Sequence, residues 1–279
     1  NMINMLLYQN GATDDLTVAG IDSIVFRPAD DIEANAILIE YNNDIATVRH
    51  NITSEYFNVN VNGADVEIIS EASIEGLQYY LSGSTNNGSF SLESDMPYEV
   101  ILNNTEITSL TNVPLNLSKN VERNIIIANG TTNILSDSED SDGKAVINSK
   151  GATNISGFGS LTINANKKHG ISSDNDININ GATISINHSA DASKGLKSDC
   201  NIMITDGDVT IVSSGTLTLE ALDLGYDATY CTSIGADGNF EMRGGKLNIT
   251  LPVSNEAGRG IKTDGDISIF GGEINIVSH

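Results

Sequence analysis

Three stretches of this chain carry one pattern. Gly170-Ile171, Asp174, Asp176-Ile177, Ile179, Ile184 and Ile186 recur as Gly195-Leu196, Asp199, Asn201-Ile202, Ile204, Val209 and Ile211. They recur again as Gly260-Ile261, Asp264, Asp266-Ile267, Ile269, Ile274 and Ile276. Weaker copies open at Ile147 and Ile234, so the leading apolar residues at 147, 171, 196, 234 and 261 are separated by 24, 25, 38 and 27 residues. One step therefore holds an insertion of about a dozen residues. Inside each copy apolar and polar residues alternate, and Gly, Asn and Asp separate the runs, which is the period of short strands joined by turns. Helical spacing over three turns is absent, so leucine-rich and helical solenoids are disfavoured. A unit this short cannot bury its own apolar face, but stacked copies pair strand on strand at about 4.8 Å and enclose a continuous core. Crossovers between parallel strands are right-handed in nearly all cases. The expectation is an all-β chain, a right-handed parallel β-helix (β-solenoid) of roughly ten coils of about 25 residues, reaching back to about Ile37.

Upstream the repeat fades while its style persists, as in Phe57 to Gly63, where alternation ends in Asn62-Gly63. Residues 1–34 differ. Met5 to Tyr8, the turn at Asn10-Gly11 and Ile21 to Phe26 read as a hairpin or paired strands, an N-terminal cap ahead of a solenoid domain at 35–279.

Charge narrows the partners. Asp and Glu number 37 against 14 Lys and Arg, a net charge of −23 that repels phosphate backbones and anionic membrane surfaces, so nucleic acid is excluded. The longest apolar run near the start, Met5 to Tyr8, is too short for a signal-peptide core or a membrane span, so this segment is expected to be soluble and not membrane-inserted. A secretion signal or lipid anchor would have to precede Asn1. Cys200 and Cys231 fit no metal-ligand spacing and are read as free thiols rather than a disulfide.

The recurring units, together with Leu81-Ser82-Gly83, Val100 to Asn104, Ala128 to Ser136 and His169-Gly170-Ile171, resemble bacterial extracellular carbohydrate-binding parallel β-helix domains. These domains look like pectate lyases without an evident lyase site. The resemblance covers about Ile37 to His279. Leu16 to Phe26 is similar to the segment that often precedes such domains in Bacteroidetes surface proteins. The resemblance implies an extracellular or cell-surface location, which a lipid anchor on a preceding segment would also serve, together with bound calcium and a polysaccharide ligand.

Four repeats carry paired Asp or Asn at matching points: Asp174 and Asp176, Asp199 and Asn201, Asp237 and Asn239, Asp264 and Asp266. Stacked carboxylates repel unless a cation or protons intervene, and oxygen ligands suit Ca²⁺, so Asp174, Asp176, Asp199, Asp264 and Asp266 are the candidate calcium ligands. The alternative is that these are turn residues whose side chains bond nearby backbone amides. Lys197 and Lys262 sit at equivalent outward positions beside Asp199 and Asp264, as candidate sugar contacts or as ordinary surface pairs. With no Trp, the aromatic platforms for a pyranose are Tyr226 and Tyr230 in the insertion, with structural filler as the equal alternative. Tyr79, Tyr80 and Tyr98 read as packing. The scattered histidines argue against zinc, and no nucleophile elbow or phosphate loop is present. The expected function is a non-catalytic carbohydrate-binding or adhesive surface module with calcium. The alternatives are a calcium-dependent, pectate-type polysaccharide lyase and a structural stalk or adhesin that binds protein.

Overall fold

Among the described residues the alternating runs form strands, with no helix. The structure, a computed structural model, describes residues 32–253 and 257–279, together with the backbone of two earlier strands, Asn4–Gln9 and Ala12–Thr17. Those two strands pair antiparallel, with Gln9 opposite Ala12. Asn10, Gly11 and Ile21 to Phe26 lie outside the described residues, as does most of Leu16 to Phe26. The chain divides into two compact units, residues 1–32 and 33–279. The larger is all-β. Among the described residues no helix is long and apolar enough to cross a membrane.

Two large sheets organise residues 33–279. One contains nine short strands and the other thirteen. The leading residues of the repeat lie directly beside one another in the nine-stranded sheet: Ile147 opposite Ile171, Ile171 opposite Leu196, Leu196 opposite Ile234 and Ile234 opposite Ile261, all in parallel pairs. In the thirteen-stranded sheet Ile177, Ile202, Phe240 and Ile267 form one parallel row, and Ile186, Ile211, Ile249 and Ile276 another. Each repeat therefore lays one strand in the first sheet and one longer or interrupted strand in the second. Ile171, Ile177, Ile184, Leu196, Ile202 and Ile211 are fully buried, so the alternation read along the chain is an inside–outside alternation across the stack.

The longer strands bend, and glycine makes the bend. Gly157, Gly181 and Gly207 have φ of +113°, +95° and +111°, a left-handed backbone that L side chains rarely adopt. They stack closely: a Cβ on Gly207 would stand 2.3 Å from the carbonyl oxygen of Gly181.

The beginning of this unit departs from the parallel pattern. Ala36–Asn42 pairs antiparallel with Ile45–His50, and Phe57–Asn62 with Asp65–Ser70. Asn43 and Gly63, at φ of 54° and 62°, supply the turns. These hairpins use chain that a count of ten equal repeats assigns to coils, and in the nine-stranded sheet only eight strands run parallel. The insertion between Leu196 and Ile234 holds a third hairpin, Thr218–Leu222 with Gly225–Thr229, almost wholly solvent-exposed. After it, Thr232 resumes register opposite Lys194.

The largest fully buried side chain is charged. Arg123 occupies a core row between Tyr98 and Thr153. Its guanidinium donates to the carbonyls of Leu117, Lys119 and Val121 and to Ser149 Oγ. It also lies 5.6 Å from the Tyr98 ring centre. Gly151 leaves it room, since a Cβ there would stand 2.6 Å from Nη2.

Candidate functional site

Of the sequence-derived candidates, Lys197, Lys262 and Tyr230 gather around one part of the nine-stranded sheet. Lys197, Gly235 and Lys262 lie side by side in neighbouring strands on the face away from the core. Gly235 has no side chain there, and Lys194 uses the space: a Cβ at 235 would meet Lys194 Cδ at 2.7 Å and Nζ at 3.5 Å. Three amines thus share one small area. Lys197 pairs with Asp199 and Lys262 with Asp264, and Lys262 holds the Asp264 carboxyl below the usual carboxylate range. Lys194 makes no ion pair among the described residues. Half-buried, it has a pKa below the ordinary lysine value, first because of burial and next because of Lys197, with Asp237 opposing the shift.

Two further groups border the amines. Arg259 continues the row that runs from Lys194 through Thr232, and its guanidinium stacks 3.6 Å from the ring centre of Tyr230. His169 is buried and accepts the backbone N–H of Lys194 at Nδ1, 2.9 Å away. Burial, followed by Lys168 and Lys194, pushes its pKa down to about 3, which keeps it neutral. Tyr226 stands on the exposed hairpin at 72% accessibility. Tyr79 and Tyr98 are core residues as read from the sequence, whereas Tyr80 faces outward and donates to Gln78 Oε1. Lys194, Arg259, Gly235 and His169 are not among the site residues expected from the sequence. The repeat aligns Gly235 with Lys197 and Lys262, but only the fold shows that a neighbouring lysine crosses the gap.

The acidic turns form a column at the end of the same strands. Asp174 accepts Lys150 Nζ at 2.6 Å, from the preceding repeat. Asp176 Oδ1 accepts both the backbone N–H and the side-chain amide of Asn201, at 2.9 Å each. Asn201 Oδ1 accepts the N–H of Asn239, and Asn239 Oδ1 that of Asp266. Among the described residues no three His, Cys, Asp or Glu side chains are placed to hold a metal ion. Cys200 and Cys231 are free thiols.

Comparison with known proteins adds the family. A model described as carbohydrate-binding domain-containing protein matches residues 62–279. A protein of that description from Acetivibrio thermocellus is 29% identical over 141 residues, covering 46% of this chain and 49% of the relative, so the chain spans about half the length of the curated relative it matches. The solved structure of a polysaccharide lyase-like protein from C. thermocellum, a gadolinium derivative, superposes with a TM-score of 0.59 at 20% identity over 87% of this chain and 97% of that one. At that identity the likeness concerns the fold. With the family model covering most of its length, the chain belongs to the family of carbohydrate-binding domain-containing proteins.

Proposed function

We propose that this chain is a non-catalytic polysaccharide-binding module of the cell surface or extracellular space, built on a right-handed parallel β-helix, with acidic sugars bound at the Lys194, Lys197, Lys262 and Arg259 face. Parallel register from repeat to repeat supports the β-helix, and family membership supports the carbohydrate ligand. The observation that carries the choice of face is Lys194: in a chain of net charge −23, an amine with no ion pair among the described residues lies over Gly235 between two others. Desolvated cations are costly unless an anion meets them, and a uronate carboxylate supplies one. Tyr230, held by Arg259, offers a ring to the apolar side of a pyranose, and Tyr226 offers another from the hairpin.

Affinity electrophoresis against polygalacturonate and against an uncharged glucan tests this. Retention on polygalacturonate should weaken with salt and fall at least about tenfold in Lys194→Ala, the loss of one charge-assisted contact. Equal retention of wild type and variant removes this face from the site. Retention by neither polymer favours the stalk reading.

A second reading, a polysaccharide lyase, draws on the same lysine, because an amine with a lowered pKa suits proton abstraction beside a carboxylate. The non-catalytic reading expects no ultraviolet absorbance from unsaturated uronide on incubation with polygalacturonate, with or without calcium. Its appearance in wild type and loss in Lys194→Ala would establish the lyase.

A further inference from the structure

We infer that the acidic turn column of Asp174, Asp176, Asp199 and Asp264 is closed to calcium, because in each of these carboxylates the protein's own amides or amines already engage an oxygen that an ion would need. Calcium takes six to eight oxygen ligands, several of them carboxylate. At the second position of the column, one side-chain oxygen per repeat is committed to the next repeat's backbone: Asp176 to Asn201 at 2.9 Å, Asn201 to Asn239 at 2.9 Å and Asn239 to Asp266 at 2.8 Å. The two middle members are amides and bring no charge.

Glycines make room for this ladder. A Cβ on Gly238 would stand 2.5 Å from Asn201 Oδ1, and one on Gly265 2.2 Å from Asn239 Oδ1. At the first position, lysines take three of the four carboxylates, Lys150 for Asp174, Lys197 for Asp199 and Lys262 for Asp264, while Asp237 makes no ion pair among the described residues. The nearby strand-end carbonyls are engaged too, since Ser149, Ser173, Ser198 and Ala236 accept the N–H groups of Asp174, Asp199, Asp237 and Asp264. At Asp174 with Asp176 and at Asp199 with Asn201, a calcium ion would have to displace an ammonium and break a backbone rung together. The stacked acids are thus relieved of mutual repulsion from within the chain, and the ladder fixes each turn to the one beneath it.

The test is the melting temperature in chelator and in millimolar calcium chloride, for the wild type and for Asp199→Asn with Asp264→Asn. A ligand of the folded state raises melting in proportion to ln(1 + [L]/Kd), so a vacant column predicts a calcium shift that is the same in both proteins to within about a degree. A calcium-dependent rise of several degrees in wild type that disappears in the variant would overturn the inference. If the double variant does not fold, Asp264→Asn alone, at the more exposed last repeat, carries the same comparison. Asn201→Ala should lower melting by several degrees in chelator and in calcium alike. Restoration of that loss by calcium would also overturn it.

Discussion

Arg123 shows how much one residue can decide inside a repeat protein. Its charge is fully buried and is stabilised by carbonyl oxygens and a hydroxyl rather than by a carboxylate, so both the planar fork and its length matter. Arg123→Lys should destabilise the protein by about 2–4 kcal/mol in chemical denaturation, because a single ammonium leaves several carbonyls unpaired. Histidine makes a second residue-scale prediction. His188 is buried between Ser193 and Ser213, bonded through both ring nitrogens, and burial lowers its pKa to about 4. A base whose folded pKa is depressed binds its proton in the unfolded state first, so its contribution is complete above the unfolded value near 6.5 and is lost as pH falls towards 4. His188, joined by His169, should cost on the order of 3 kcal/mol per residue across that window. Melting temperatures at pH 7 and pH 4.5 check the sign, and His188→Asn should flatten the dependence.

At the scale of elements, the stacked bend glycines predict that Gly207→Ala is costly. The new Cβ would collide with the Gly181 carbonyl and require a backbone of positive φ, together worth roughly 1–3 kcal/mol. A lowered denaturant midpoint with an unchanged slope would be the signature. The strands themselves were legible in the sequence, and so was their register, because Ile171, Leu196, Ile234 and Ile261 face one core and an inward position leaves its mark in residue type. The opening hairpins blurred the count of repeats, since Phe57 to Gly63 has the same alternation whether its neighbour runs parallel or antiparallel. The site was legible only in part. Lys197 and Lys262 align in the repeat, but Lys194 belongs to the area because a side chain crosses to Gly235, and that reach has no period. Arg123 was hidden for the opposite reason: hydropathy assigns a charged residue to the surface, while here backbone carbonyls bring it inside.

For the whole molecule, the hairpin of Thr218–Leu222 and Gly225–Thr229 should be dispensable for folding. It lies outside the stack, and shortening a surface loop changes closure entropy only slowly with length. Replacing residues 218–229 by a short Gly-Ser link should leave the melting temperature within about two degrees, while removal of Tyr226 with the hairpin should weaken glycan binding. Thr232 meets Lys194 after a detour that makes this repeat longer than its neighbours, and the strands on both sides keep their places. Distance along the chain and position in the stack are therefore independent variables at this corner. It is a port through which the molecule can acquire new material, by evolution or by grafting, while the rest of the structure continues to count in strands.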